Sequence, residues 1–171
     1  MTVLVALAVV VVLTAFTALY VAAEFATVGV RQSRIAQLAD DGNPLARRLL
    51  PIITDSHALD RYIAASQIGI TLSGLILGAY GQSRLGEGLE TVLGRAGWSA
   101  AAAASTAAVV TLLGLTAFNV VFGELVPKSL ALQFPTQVSL WLYWPMTASL
   151  AVFRWFIGLL NGSGWLILRL L

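Results

Sequence analysis

Three stretches of this chain, Thr2 to Ala23, Tyr62 to Gln82 and Ala96 to Gly123, carry no charged side chain. A helix crossing the hydrocarbon core of a bilayer needs about 20 apolar residues, and each stretch reaches that length. With 58% hydrophobic and 11% charged residues and a mean hydropathy of +0.87, the chain is too apolar for a soluble domain with a polar surface. The expected fold class is an all-α membrane protein with three transmembrane helices and a juxtamembrane helical belt, in the lipid bilayer as a multi-pass protein.

The charges between the runs set an orientation. Arg31, Arg34, Arg47, Arg48 and Arg61 lie between the first and second runs, but only Arg84 and Arg95 between the second and third. By the positive-inside rule the first connection is cytoplasmic, the N-terminus outside and the C-terminus cytoplasmic. A cleaved secretory signal is the alternative for the first run, with small residues at Ala22 and Ala23. No basic residue precedes that run, however, and it exceeds the usual length of a signal core. A formal net charge of +2 is too small to argue for a nucleic-acid partner. The absence of cysteine excludes a disulfide framework and a thiolate metal site.

The first helix is expected to run past Glu24 to about Val30. Residues 31–50 read as an amphipathic surface helix with Ile35, Leu38, Leu45, Leu49 and Leu50 on one face. Asp41-Gly42-Asn43-Pro44 interrupts it, Pro44 starting the next helix, and Asp55-Ser56 can cap the helix into the second span. Ser66, Gly69, Thr71, Ser73, Gly74 and Gly78 give that span a close-packing character, with Ser73 and Gly74 near mid-membrane. Ser83 to Gly97 is read as a short outside connection. Residues 129–171, interrupted by Pro135, Pro145 and Arg154 and rich in Trp141, Tyr143, Trp144 and Trp155, are read as interfacial or half-inserted helices forming a cytoplasmic belt. A fourth span over 136–153 is the competing reading. There are no clear internal repeats.

The chemistry concentrates at the end of the third run. In Asn119-Val-Val-Phe-Gly123-Glu124-Leu-Val-Pro127-Lys128, a carboxylate sits at membrane depth, where an ionisable group is expensive and marks a functional site by default. A helical proline repels and frees the carbonyl four residues back, here that of Gly123. Amide, carbonyl and carboxylate oxygens in one short segment suit a hard cation, Mg²⁺ or Ca²⁺, rather than Zn²⁺ or Cu⁺. Ser73 and the backbone near Gly74 are the candidate donors from the second helix. The blander reading of Glu124 is a helical ion pair with Lys128, four residues on, and that of Glu24 is exposure at its helix end. The lone His57, the lack of a phosphate-binding loop and the absence of paired aspartates in the spans argue that the chain is not an enzyme.

At these residues the sequence resembles the transmembrane domain of the CNNM/CorC magnesium transporters, across nearly the whole of residues 1–171. The resemblance runs through Ala22-Ala23-Glu24-Phe25-Ala26, Arg31-Gln32-Ser33-Arg34, Gln67-Ile68-Gly69-Ile70-Thr71-Leu72 and, most specifically, Phe122-Gly123-Glu124-Leu125-Val126-Pro127-Lys128-Ser129-Leu130-Ala131. It implies a homodimer whose protomers each contribute three membrane helices and a belt. It also implies an ion site among the three spans, a break in the third at the Pro-Lys pair, and outward movement of Mg²⁺ driven by Na⁺ entry. Relatives continue into a cytoplasmic CBS pair that binds nucleotide; this chain ends at Leu171, as a membrane domain alone would.

The metal-ligand set expected on this basis is Ser73, Gly74, Asn119, Gly123 and Glu124. Glu24, Pro127 and Lys128 are assigned to gating, with Lys128 turned toward the first span and paired with Glu24. Two departures thin the donor set: Ala22 and Ala23 stand where relatives often place a serine before the first-span glutamate, and Gly74 where they commonly carry Ser or Asn. A site with fewer protein ligands keeps water or binds more weakly. The alternative function is a membrane anchor and ion sensor that signals to cytoplasmic modules without transporting.

Overall fold

The computed structural model describes the backbone of residues 3–170 and the side chains of residues 3–158. Thr2 and Leu171, the expected starts and ends of the first span and of the belt, lie outside the described residues, as do the belt side chains beyond residue 158. The described chain is helical throughout, with no strand. In order it forms α1 (Val3–Gly29), α2 (Gln32–Asp40), α3 (Pro44–Thr54), α4 (Ser56–Gly81), a first π-helical segment (Gln82–Gly86), α5 (Glu87–Arg95), α6 (Ala100–Phe118), a second π-helical segment (Asn119–Leu125), α7 (Val126–Gln133), α8 (Pro135–Trp141) and α9 (Tyr143–Leu170). Among the described residues, three continuous helical stretches are long and apolar enough to cross a membrane: Val3–Gly29, Ser56–Arg95 and Ala100–Gln133. The molecule is an all-α membrane protein.

The described residues fall into two compact units, one of 3–19 and 70–127, the other of 20–69 and 128–170. In the first, Val10 of α1, Leu77 of α4 and Leu115 of α6 are buried against one another, with Leu13, Leu85 and Phe118 packed around them. Gly81 admits the Leu115 side chain, because a Cβ there would collide with it. Further along, α5 packs on α6 over the buried Ala103 and Ala107. Gly97, at φ +90°, turns the chain between them in the left-handed region that glycine enters at no steric cost.

In the second unit α2 and α3 form a helical hairpin. Gly42 takes φ +94° at its turn, and Asn43 caps α3 by accepting from the amides of Leu45 (2.9 Å) and Ala46 (3.1 Å). Pro44 stands in the first turn, where its missing N–H has no partner to lose. Ile35, Ala39, Ala46, Leu49 and Ile53 bury between the helices, with Leu38, Leu50, Leu140 and Tyr143 against them. The Gln32 amide donates to the Ile53 carbonyl at 2.8 Å, and Arg48 lies 4.9 Å from the Trp144 ring centroid. The α1 portion is held by Tyr20, whose hydroxyl is 2.9 Å from that of Ser149 and whose ring fills the space beside Gly69.

Two expectations need correction. Residues 83–97, read as a short connection, are mostly helical: the chain passes Gly81 without leaving helical geometry, through the first π segment into α5. The apolar residues Leu85, Leu89, Val92 and Leu93 sustain a helix that the glycines and charges disguised. Residues 136–153 are not one helix, because α8 ends at Trp141 and α9 starts anew at Tyr143. The chain breaks at Leu142, whose amide reaches back to both Leu140 and Val138.

Candidate ion site

The third membrane stretch changes register where its chemistry lies. α6 stops at Phe118, and across Asn119–Leu125 the helix widens, so that the Val126 amide donates to the Val121 carbonyl five residues back. The break expected at Pro127 is therefore a π turn within continuous helix, and Pro127 itself is buried. The physical reason is the one that predicted a break. Proline cannot donate, and its ring repels the carbonyl a turn earlier; inserting one residue into the turn relieves that crowding without abandoning helical dihedrals.

This widening aligns the functional groups. In an α-helix of 3.6 residues per turn, residues five apart point about 140° away from each other. The i→i+5 turn brings them onto one face instead. Asn119 and Glu124 accordingly line one cavity of about 130 Å³, closed on the α4 side by Gly74, Leu77 and Gly78 and on the α6 side by Thr116 and its neighbours. Glu124 supplies the one carboxylate of that lining and is half-buried. The Asn119 side-chain oxygen is fully buried with no hydrogen-bond partner. Leaving a buried acceptor unsatisfied costs about 1–3 kcal/mol, so an orphan here asks for a ligand.

Gly123 lies behind that amide. A Cβ at Gly123 would fall 2.7 Å from Asn119 Oδ1 and 3.3 Å from Thr17 Cγ2, so only glycine lets the amide fold back along its own helix. Thr17, on α1, ties the remaining element in: its hydroxyl donates to Ser73 Oγ at 3.0 Å, and Ser73 donates onward to the Ile70 carbonyl at 3.2 Å. One turn earlier, the buried Thr14 hydroxyl has no partner. Of the five expected ligands, Gly74, Asn119 and Glu124 line the cavity, while Ser73 and Gly123 stand behind it on Thr17. Thr17 itself is the residue that sequence reasoning passed over. Its only signal was a hydroxyl repeating after Thr14 on one face of an apolar helix. A Cβ at Gly74 would meet nothing within 4 Å, so the second span offers open room there.

Among the described residues no cluster of three or more His, Cys, Asp and Glu is present, and the polar side chains that line the cavity are those of Thr116, Asn119 and Glu124. In the other unit the Lys128 ammonium lies 4.4 Å from the Phe25 ring centroid. It does turn to α1, but no ion pair joins it to Glu24 among the described residues. Cation–π contact with the ring beside Glu24 replaces the expected pairing.

Residues 7–171 match the Cyclin M transmembrane N-terminal domain, CNNM. The chain belongs to the CNNM family. Similar curated proteins include the UPF0053 proteins YhdT and YugS of Bacillus subtilis (strain 168). YhdT is 38% identical over 91% of this chain and 33% of its own length, and YugS 36% identical over 93% and 36%. The polyamine export protein of Haemophilus influenzae (strain ATCC 51907 / DSM 11121 / KW20 / Rd) is 26% identical over 78% of this chain and 31% of its own length. The chain thus spans about a third of the length of the curated relatives it matches, and the CNNM domain accounts for that third.

Proposed function

We propose that this CNNM domain moves Mg²⁺ across the membrane, with the cavity of Gly74, Asn119 and Glu124 as its binding station. The supporting observation is a small cavity lined by the Glu124 carboxylate and by Asn119, a residue whose side-chain oxygen is buried without a partner. A hard divalent cation satisfies both with oxygen ligands alone. A carbonyl deprived of its donor by Pro127 would add a third oxygen, and water completes the shell. A site of this low charge releases its ion, as transport requires.

In this reading the N-terminus is outside and the C-terminus cytoplasmic, as the arginine distribution favours. Two copies form a homodimer, the direction is outward with Na⁺ entry as the driving force, and a cytoplasmic CBS pair in the whole protein reports nucleotide. A second reading draws on the Haemophilus relative, whose name points to organic polycations. A polyamine spreads several ammonium groups along a flexible chain and needs several acceptors. This cavity of about 130 Å³ with one carboxylate suits a compact ion better.

Liposomes enclosing a Mg²⁺-sensitive dye decide between the readings. Purified protein should carry saturable Mg²⁺ flux that spermidine does not inhibit. Spermidine uptake without Mg²⁺ flux would establish the organic substrate, and no flux of either would leave the anchor and sensor role.

A further inference from the structure

We propose that the second unit carries a seat for the headgroup of an anionic phospholipid, built where Arg48 of α3 meets Trp144 at the start of α9. The guanidinium carbon stands 4.9 Å from the indole ring centroid, and both side chains are exposed. The ring attracts and orients the cation. None of the N–H groups of this guanidinium is spent on a hydrogen bond or salt bridge among the described residues. An arginine held in place with its N–H fork open is a ready donor set for a phosphate, which it can grip through two oxygens at once.

Charge and depth together name the occupant. Arg34 and Arg47, the other arginines of the hairpin helices, are steadied by neutral acceptors, Gln37 Oε1 at 2.8 Å and the Ala39 carbonyl at 2.9 Å. Arg48 has no such acceptor, and no carboxylate of the described chain answers its charge. Asp55, on the same stretch, is turned to the start of α4 and accepts from the His57 amide at 2.9 Å. Tryptophan settles at the headgroup level of a bilayer, and Trp144 is 57% exposed, with Trp141 before it at 76%. A guanidinium in contact with that ring lies at the depth of the lipid phosphates, which are the anions concentrated there. Over residues 31–61 five arginines face four aspartates, so the net field of the segment is weak and the attraction is local to Arg48. Phosphatidylcholine carries its own ammonium beside the phosphate, which competes with the arginine; an anionic headgroup has no such competitor.

The test uses the full chain, purified and released from nanodiscs of phosphatidylglycerol and phosphatidylcholine in equal amounts, with the lipids that stay bound counted by native mass spectrometry. The wild-type protein should retain phosphatidylglycerol severalfold over phosphatidylcholine. Arg48→Gln should lose most of that excess, and Arg48→Lys, which keeps the charge without the planar fork, should lose part of it. Arg61→Gln removes the same charge from another exposed position of the unit and should retain the excess. Both arginines are exposed, so neither change reaches the core. Absence of a phosphatidylglycerol excess in the wild-type protein overturns the proposal and leaves the patch to solvent or to an acidic protein partner. Equal losses in Arg48→Gln and Arg61→Gln overturn it as well, because the preference would then belong to overall charge and not to the Arg48–Trp144 seat.

Discussion

Two parts of the first unit leave the α-helical register, and they share a pattern. Gln82-Ser-Arg-Leu-Gly86-Glu87 and Asn119-Val-Val-Phe-Gly123-Glu124 each place an amide, a glycine four residues on, and a glutamate directly after it. Both occur at π segments. In both, a Cβ on the glycine would press on the amide, at 2.9 Å from Gln82 Nε2 and 2.7 Å from Asn119 Oδ1. In both the amide oxygen is buried without a partner. The opposing helix presents a threonine each time: Thr111 Oγ1 is 3.8 Å from the Cβ position of Gly86, and Thr17 Cγ2 is 3.3 Å from that of Gly123.

The two segments differ in what the glutamate faces. Glu87 is exposed and lines a cavity of about 400 Å³ with Glu90, Thr91 and Gly94, and Gln82 does not reach that cavity. Glu124 is half-buried and shares its small cavity with the orphaned amide. Proline follows the second segment alone. An amide, a glycine and a π turn thus build a pocket for the amide; a cation site further needs the carboxylate turned into the same space and a carbonyl released nearby.

The sharpest way to break this comparison is to remove each carboxylate in turn. Glu124→Ala should reduce Mg²⁺ affinity by about 100-fold or more, in keeping with the ~2–5 kcal/mol that follows truncation of a desolvated charge partner, while the protein stays folded. Glu87→Ala should leave affinity within error, since its carboxylate is already in solvent. Titration calorimetry on the two variants measures both. Equal losses would mean that the segments do the same work and that Glu124 has no special standing.

Pro127→Ala comes next in size. It supplies an N–H for a carbonyl one turn back, Gly123 in α register or Phe122 in the i→i+5 register. With that oxygen engaged, affinity should fall by about tenfold, or ~1.4 kcal/mol, near the net worth of one hydrogen-bond-sized contact. Thermal stability should hold or rise, because proline is the poorest residue inside a helix. A parallel loss of stability and affinity would show that Pro127 serves packing instead.

The paired glycines give a smaller contrast. Gly123→Ala displaces the Asn119 amide, and a misplaced ligand should weaken Mg²⁺ binding by about fivefold, ~1 kcal/mol. Gly86→Ala displaces Gln82 in the same manner and should leave binding unchanged. Both end groups can swing aside, and alanine is the better helix former, so melting temperatures should differ little. An effect of Gly86→Ala on binding as large as that of Gly123→Ala would join the two segments into one functional unit.

Much of this was legible before any coordinates. The spans follow from the uncharged runs, and the α2–α3 turn follows from the interruption at Asp41-Gly42-Asn43-Pro44, with Pro44 starting the next helix. Asn119, Gly74 and Glu124 were grouped by donor chemistry, and one cavity holds them. The π register was not legible, because an inserted residue leaves the apolar pattern of a lipid-facing helix intact: with no polar face to slip, periodicity carries no phase. The helix over 87–95 was hidden by its charges and glycines, which also mark loops. Lys128 was matched to Glu24 by charge alone, whereas the Phe25 ring beside that glutamate receives the ammonium. Thr17 was masked by its setting, since a threonine in an apolar run reads as ordinary helix packing.

The smallest expected effect runs in the opposite direction. The cavity wall on α4 is bare at Gly74, where a Cβ would have open space around it, and the neighbouring Ser73 hydroxyl is engaged with Thr17 and the Ile70 carbonyl. Gly74→Ser therefore places a new oxygen against the space that Asn119 and Glu124 share, with no group displaced to make room. Exchanging one bound water for a fixed hydroxyl should raise Mg²⁺ affinity by about threefold, within the ~0.5–1.5 kcal/mol net value of a single polar contact. Replacing glycine inside a helix should also stabilise the protein by a few tenths of a kcal/mol, as serine is the better helix former. The counterpart Gly78→Ser, on the same cavity one turn away and equally open, is the control. If the Asn119–Glu124 pair fixes where the cation sits beside Gly74, an oxygen one turn away should bring the stability without the affinity. Equal affinity gains at both positions would mean that any added oxygen strengthens binding, and that the Asn119–Glu124 pair does not fix where the cation sits.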